Sequence, residues 1–306
     1  MTATPALGLG LPVSGAWATP ENMRQVAVRA EELGYASLWS FQRLLHPVDE
    51  DWGAVYHGVV DPVSALAYVA GFTSRIRLGT AVVNLPFYSP IVLSKALTTV
   101  DIVSKGRLDV GLGLGWAAPE FEAVGVPMEK RGARAAEFVE CLKAIWTQQE
   151  VEYHGQFYDV PLSRVEPKPV QQPYPPLLMG GTAEAALRRI GRIADGWISS
   201  SRTDLTTIGQ SIDLVRSAAS EAGRDPGTLR FITRGVVRLG SEATEDRAPL
   251  QGNADQIRSD LEALSSAGVT EVFLDLNWDP ETVAEDVDAA AALDNAERVM
   301  TELAPG

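Results

Sequence analysis

The sequence predicts an α/β protein: a (β/α)8 TIM barrel with a proline-rich insertion after the fourth helix. Three observations lead there. Short apolar runs alternate with stretches of helical period eight times along the chain. The runs are apolar throughout rather than alternating with polar residues, as parallel strands covered on both faces are. The chain has 306 residues, 45% of them hydrophobic, the length of one barrel of this kind and enough to bury a large core. We therefore expect one domain over 1–306.

The first unit is a strand at Leu7 to Leu11, then Thr19 as N-cap and Pro20 at the first helical position. Met23, Val26, Ala27, Ala30 and Leu33 follow at helical spacing, and Gly34 stops the helix. A strand at Ala36 to Trp39 runs into Phe41 to Val60, a segment rich in aromatics and acids, before Asp61-Pro62 opens a second helix to about Thr73. The β-branched run Ile76 to Val83 is the third strand, and Ser89-Pro90 opens the helix that ends at Val103. Leu108 to Leu112 is the fourth strand, followed by glycines at 113 and 115, Trp116, and a helix through Ala133 to Trp146.

The rhythm then breaks. Gln149 to Pro176 contains six prolines and a hairpin-like piece, Val151 to Val160, turning at Gly155. It is too short and proline-rich for a core of its own, so it reads as an insertion against the body. Alternation resumes with a strand at Leu177 to Met179, the turn Gly180-Gly181-Thr182 and a helix at Ala183 to Arg192. A strand at Gly196 to Ile198 precedes a helix from Leu205 to Glu221, and a strand at Phe231 to Leu239 precedes a polar loop at 240–253. Asn253 with Gln256 makes a capping box before Ile257, Leu261 and Leu264. Glu271 to Leu276 is the last strand, and Asp279-Pro280 caps a final helix to about Leu303.

Composition narrows the function. With 26 basic and 40 acidic residues the net charge is −14, which argues against nucleic acid or an anionic membrane as partner. A small anion, which answers to local donors, is still compatible. Cys141 is the only cysteine. It excludes an intrachain disulfide, fits a reducing cytoplasm, and reads as a buried inert thiol in a helix. The first fifteen residues lack the basic and apolar regions of a signal peptide, and no apolar run reaches the ~18 residues of a membrane helix.

In a barrel, ligands bind where strands run out at their C-terminal ends. Those ends carry few catalytic side chains. His46, His57 and His154 have no metal-ligand spacing, so no metal site is expected. There is no G-x-S-x-G elbow and no strand-end lysine. A cofactor that brings its own reactive atom explains that scarcity. Glycine lets backbone approach a ligand closely, so the Gly113–Trp116 stretch fits ligand contact, as it also fits a tight strand-to-helix turn. The dinucleotide fingerprint fits Gly111 and Gly113 but fails at Trp116. Gly180, Gly181 and Thr182 present backbone N–H groups at a helix start, a place for a phosphate or an ordinary capped turn.

As a set these residues resemble a family. LGTAVVNLP (78–86), SPIVLSKALTTVDIVSKGRLDVGLGLGW (89–116), the following EF-x-A-x-GVP (120–127), HGQFYDV (154–160), EPKPVQ (166–171), LLMGGTAEAALRRIGRIADGW (177–197) and AGVTEVFL (267–274) are similar to the bacterial luciferase-like superfamily. Within it, the likeness is to the oxidoreductases that use the deazaflavin coenzyme F420; the FMN monooxygenases share most of these motifs. The resemblance implies a homodimer, a flavin-like ring at the strand C-termini, and a non-prolyl cis peptide at Ala81–Val82 buttressing it. It implies that Gly113, Leu114, Gly115 and Trp116 line the ring and tail, and that Gly180, Gly181 and Thr182 take the phosphate. Many relatives carry an Asp-His pair after the second strand, where this chain reads Phe41, Gln42, Arg43. Gln42 and Arg43 are then candidates to polarise a substrate, with His46 or His57 as proton donor. Glu120 reads as a helix-start residue favoured by the dipole. Trp116 stands where the family's sugar-phosphate dehydrogenases have a glutamate, which argues against glucose 6-phosphate. The expected reaction is hydride transfer between F420 and a small organic substrate. The alternatives are an FMN monooxygenase and a barrel that binds a flavin-like molecule without turning it over.

Overall fold

In the computed structural model, residues 4–305 are described, apart from Glu242, Ala243, Glu245 and Glu285. Parts of the 240–253 loop and of the final helical stretch, and the first three residues, therefore lie outside the described residues. Eight parallel strands form the barrel: Ala6–Gly10, Ser37–Ser40, Arg77–Thr80, Leu108–Gly113, Leu177–Gly180, Gly196–Ile198, Arg230–Gly235 and Glu271–Leu274. Each pairs with its neighbours in chain order, the first with the eighth (Leu7 opposite Val272) and the third with the fourth (Leu78 opposite Leu108), so the sheet closes. Closure leaves no unpaired edge.

Three of the N-terminal signals cap their helices as the sequence predicts, whereas Ser89 precedes Pro90 at its helix start without a side-chain capping hydrogen bond. Thr19 accepts from the Asn22 N–H, Asp61 from Ser64, and the Asn253–Gln256 box closes in both directions. Helices pack on the outer face of the strands around one large apolar layer. The barrel interior is a second cluster in which Trp39 stacks on Phe273 at 5.5 Å beside Ile198 and Ile232. Gly79 makes room for it, since a Cβ there would lie 2.3 Å from the Trp39 ring.

Four elements differ from expectation. The third strand stops at Thr80 and resumes as the two-residue strand Val83–Asn84, because the chain bulges through a cis Ala81–Val82 peptide. The seventh ends at Gly235, with Arg238–Leu239 pairing separately to Gln251–Gly252. The helix after the sixth strand begins at Ile208, three residues later than expected. The last helix is two pieces, Pro280–Val283 and Ala289–Glu302, the second with Asp288 as its own N-cap. The insertion forms the antiparallel pair Val151–His154 and Asp159–Ser163. It is tied to the body where buried Asp101 accepts from the backbone N–H groups of Val170 and Gln171. Among the described residues no helix is long and apolar enough to cross a membrane.

Candidate active site

A cavity of about 700 Å³ opens at the C-terminal mouth of the barrel. Its wall includes Gln42, Arg43, Ala81, Val82, Gly113, Leu114, Gly115, Trp116, Gly180, Gly181 and Thr182. The loops after the second, third, fourth and fifth strands thus converge on one space. Of the two proton-donor candidates singled out from the sequence, His57 does not line this cavity, and neither does His46. The His46 Nε2 faces Nε2 of His57 at 3.0 Å and accepts the Trp52 backbone N–H.

The bulge after the third strand is held from three sides. Thr80 Oγ1 donates to the Gly111 carbonyl at 2.8 Å and accepts the Gly111 N–H at 2.9 Å. Gln42, 3% exposed, donates to the Tyr88 hydroxyl and accepts the Asn84 N–H at 2.9 Å. An amide with both ends engaged cannot serve as acid or base, so Gln42 shapes the bulge on which Ala81 and Val82 present themselves. Gly113 leaves the space above that shelf open; a Cβ there would lie 2.3 Å from Val82.

The second strand end forms an aromatic wall. The Arg43 guanidinium lies 4.7 Å from the ring centres of both Tyr56 and Trp116 and 5.4 Å from that of Trp52. Trp52 and Trp116 are themselves 5.1 Å apart. Arg43 pairs at 3.1 Å with Glu120, whose other oxygen accepts the Leu44 N–H at 2.7 Å. Glu120 opens a helix as expected, but its carboxylate is fully buried and serves Arg43 rather than a solvent-facing helix end. Burial, and after it the neighbouring charge of Arg202, works against the Arg43 proton, while Glu120 supports it.

Sequence reasoning missed the opposite side. Arg234, near the end of the seventh strand, lines the cavity, pairs with Asp275 at 2.8 Å and donates to the Ala81 carbonyl. The rings of Trp278, Phe273 and Phe41 surround it, Trp278 at 4.3 Å. Burial pushes the Asp275 carboxyl up and the Arg234 guanidinium down, so the pair is held at a cost in desolvation. An arginine inside the apolar run FITRGVV was the available signal.

The third region surrounds Gly180-Gly181-Thr182. The helix Glu184–Ile193 starts there with Ala183 as N-cap and no side chain capping its free N–H groups. Arg189, on that helix, and Arg131, at the start of Arg131–Thr147, complete the wall. Arg189 Nε is buried without a hydrogen-bond partner. Free backbone donors, a glycine pair and unpartnered guanidinium groups form a donor set suited to a phosphate. Among the described residues, no group of three His, Cys, Asp or Glu side chains is placed to hold a metal ion.

The luciferase-like monooxygenase family model matches residues 3–295. The chain belongs to that family. An uncharacterised protein of Mycobacterium tuberculosis is 30% identical over 239 residues, 72% of this chain and 82% of that protein. A second from the same organism is 39% identical over 171 residues, covering 56% of this chain and only 60% of its own length. An FMNH(2)-dependent dimethylsulfone monooxygenase of Pseudomonas putida is 33% identical over 49% of this chain and 42% of its own. Among solved structures, monooxygenase RslO1 of Streptomyces bottropensis superposes with TM-score 0.80 at 22% identity, covering 97% of each chain. The coenzyme F420 dependent tetrahydromethanopterin reductase of Methanopyrus kandleri does so with 0.78 at 18% identity, covering 98% and 99%. These likenesses establish the fold. The family's members are oxidoreductases and monooxygenases, with both F420- and FMN-dependent proteins among the relatives.

Proposed function

We propose that this protein transfers a hydride between coenzyme F420 and a small organic substrate in the mouth cavity. The observation that carries the reading is the charge of the wall. Among the described residues, every charged one lining the cavity is an arginine: Arg43, Arg131, Arg189, Arg202 and Arg234. That holds in a chain of net charge −14. Only Arg43 and Arg234 have a carboxylate partner among the described residues. An excess of positive charge inside an acidic protein suits a coenzyme whose side chain carries a phosphate and carboxylates beyond it.

When bound, a deazaflavin would give or take one hydride, two electrons with one proton, and would react poorly with oxygen. The chain supplies the rest. Ala81 and Val82 form the shelf for the ring, kept in place by Thr80, Gln42 and Arg234. Gly113 to Trp116 border it, and Gly180, Gly181, Thr182, Arg131 and Arg189 hold the phosphate end. Among the described residues the lining offers no carboxyl or imidazole group. The Tyr56 hydroxyl, which does line it, is the side chain we assign as proton donor, with solvent as the alternative. We read the chain as one catalytic domain acting as a homodimer in the cytoplasm. Cys141 takes no part: burial pushes its thiol up to about 11.

A second reading, an FMN-dependent monooxygenase, is favoured by the likeness to the dimethylsulfone enzyme. Titration with F420 and separately with FMN, followed by fluorescence quenching, decides between them. Micromolar binding of F420 and oxygen-independent turnover are expected. Micromolar FMN binding without deazaflavin binding overturns the cofactor assignment. Binding of either with no exchange against any substrate leaves a binding protein.

A further inference from the structure

We infer that the substrate carries a carboxylate on an apolar, planar body, and that Arg43 and Arg202 recognise that carboxylate jointly beside Trp116. This rests on the reading of the mouth cavity as a cofactor-and-substrate site. The two guanidinium groups lie 4.7 and 5.5 Å from the centre of the Trp116 ring. Both line the cavity. The Arg43 side chain is only 6% exposed, yet its buried Nε has no hydrogen-bond partner. Glu120, the one carboxylate paired with this cluster among the described residues, has an oxygen on Arg43 and an oxygen on the Leu44 N–H. Arg202 has no carboxylate partner among the described residues. Two cations facing one committed anion leave one positive charge uncompensated in a half-buried cleft, the complement of a monoanion.

The Arg43 cluster and the phosphate end line one cavity but have different neighbours. Arg189 neighbours Gly132 and Gly181 neighbours Ala186, whereas Arg43 is packed against Trp52, Tyr56 and Trp116. Of those rings Tyr56 and Trp116 line the cavity and offer apolar walls to whatever carries the anion. A guanidinium fork matches a carboxylate in shape as well as charge.

The test uses paired acids and amides of equal shape: trans-cinnamate with trans-cinnamamide, and benzoate with benzamide. Binding is followed by tryptophan fluorescence, first without cofactor and then with saturating F420. We expect each acid to bind at least about tenfold tighter than its amide, with the preference shrinking as sodium chloride is raised. Arg202→Gln should abolish the preference while leaving the far-UV circular dichroism and the melting temperature of the protein as in wild type. Arg43→Lys, which keeps a charge for Glu120, should reduce it and remain folded. Equal binding of acid and amide overturns the inference. So does a preference that survives in Arg202→Gln, or no acid binding below about 1 mM. If the preference appears with FMN bound and F420 does not bind, the cofactor assignment fails and the carboxylate site stands.

Discussion

At the N-terminal end of the barrel, buried Asp109 takes Arg77 at 2.6 and 2.8 Å and Arg230 at 2.6 Å. Arg230 reaches on to Glu271 at 3.0 Å, which also accepts the Trp39 indole N–H and the Ser37 hydroxyl. Two cations meet two anions there, and the carboxylates are used up. At the C-terminal mouth, five arginines meet only Glu120 and Asp275 among the described residues. The same residue type does different work at the two ends. A balanced network closes the bottom and specifies the fold; an unbalanced one is poised for an anion from outside.

The comparison breaks if the bottom network proves to matter for ligands, or the mouth network for folding. The largest effect belongs to Asp109→Asn, which leaves Arg77 and Arg230 without their shared partner. Denaturant unfolding should show a loss of about 3 kcal/mol, the low end for a broken buried pair because both guanidinium groups reach water. Cofactor affinity of the folded fraction should not change. A wild-type stability would mean that the network is ornamental.

Arg189→Gln is the converse. Its guanidinium has no carboxylate partner among the described residues, so unfolding free energy should stay within about 0.5 kcal/mol of wild type or rise. Removing a charged hydrogen bond to the cofactor should cost about 1.5–3 kcal/mol of binding, roughly ten- to a hundredfold in Kd by fluorescence titration. Unchanged Kd for both F420 and FMN would detach Arg189 from the phosphate end. Gly113→Ala should have effects at both levels. The added Cβ lies 2.3 Å from Val82 Cγ2 and 3.0 Å from Asn84 Oδ1, so Val82 must shift, at about 1 kcal/mol of stability. Cofactor binding should weaken as well, since the shelf moves with it.

The fold was legible because its signals are local. Thr19-Pro20, Asp61-Pro62 and the Asn253–Gln256 box each depend on residues within one turn, and each caps a helix as read. The glycine stretch before Trp116 was legible for the same reason, and Trp116 faces the cavity. What escaped depends on partners far along the chain. His46 follows the second strand in sequence, but the loop turns it onto His57 and away from the cavity. Glu120 looks like any acidic residue at a helix start until the fold brings it to Arg43, 77 residues away. Arg131 and Arg189 are ordinary helix residues in the sequence; that they lack carboxylates is a property of the surroundings. Whether a charge is spent or available is decided by tertiary packing, and no local pattern encodes it.

The smallest expected effect sharpens the bottom end alone. Glu31, at the close of the first helix, accepts the backbone N–H groups of Ser74, Arg75 and Ile76 just before the third strand. Burial acts against its charge, but these three donors outweigh it and hold the carboxyl at about 2, from an ordinary value of 4.5. A carboxylate depressed in the folded state contributes stability that is complete above its unfolded value. That contribution is lost as pH falls from about 4.5 towards 2. Glu31→Gln should therefore lower stability at neutral pH slightly and flatten the acid arm of the stability–pH curve across that window. The arginine substitutions at the mouth should leave the arm as it is. Thermal melts in a series of buffers from pH 7 downward read both effects. An unchanged acid arm in Glu31→Gln would show that those three N–H groups are equally well satisfied by water, and that the bottom of the barrel is held by the Asp109 network alone.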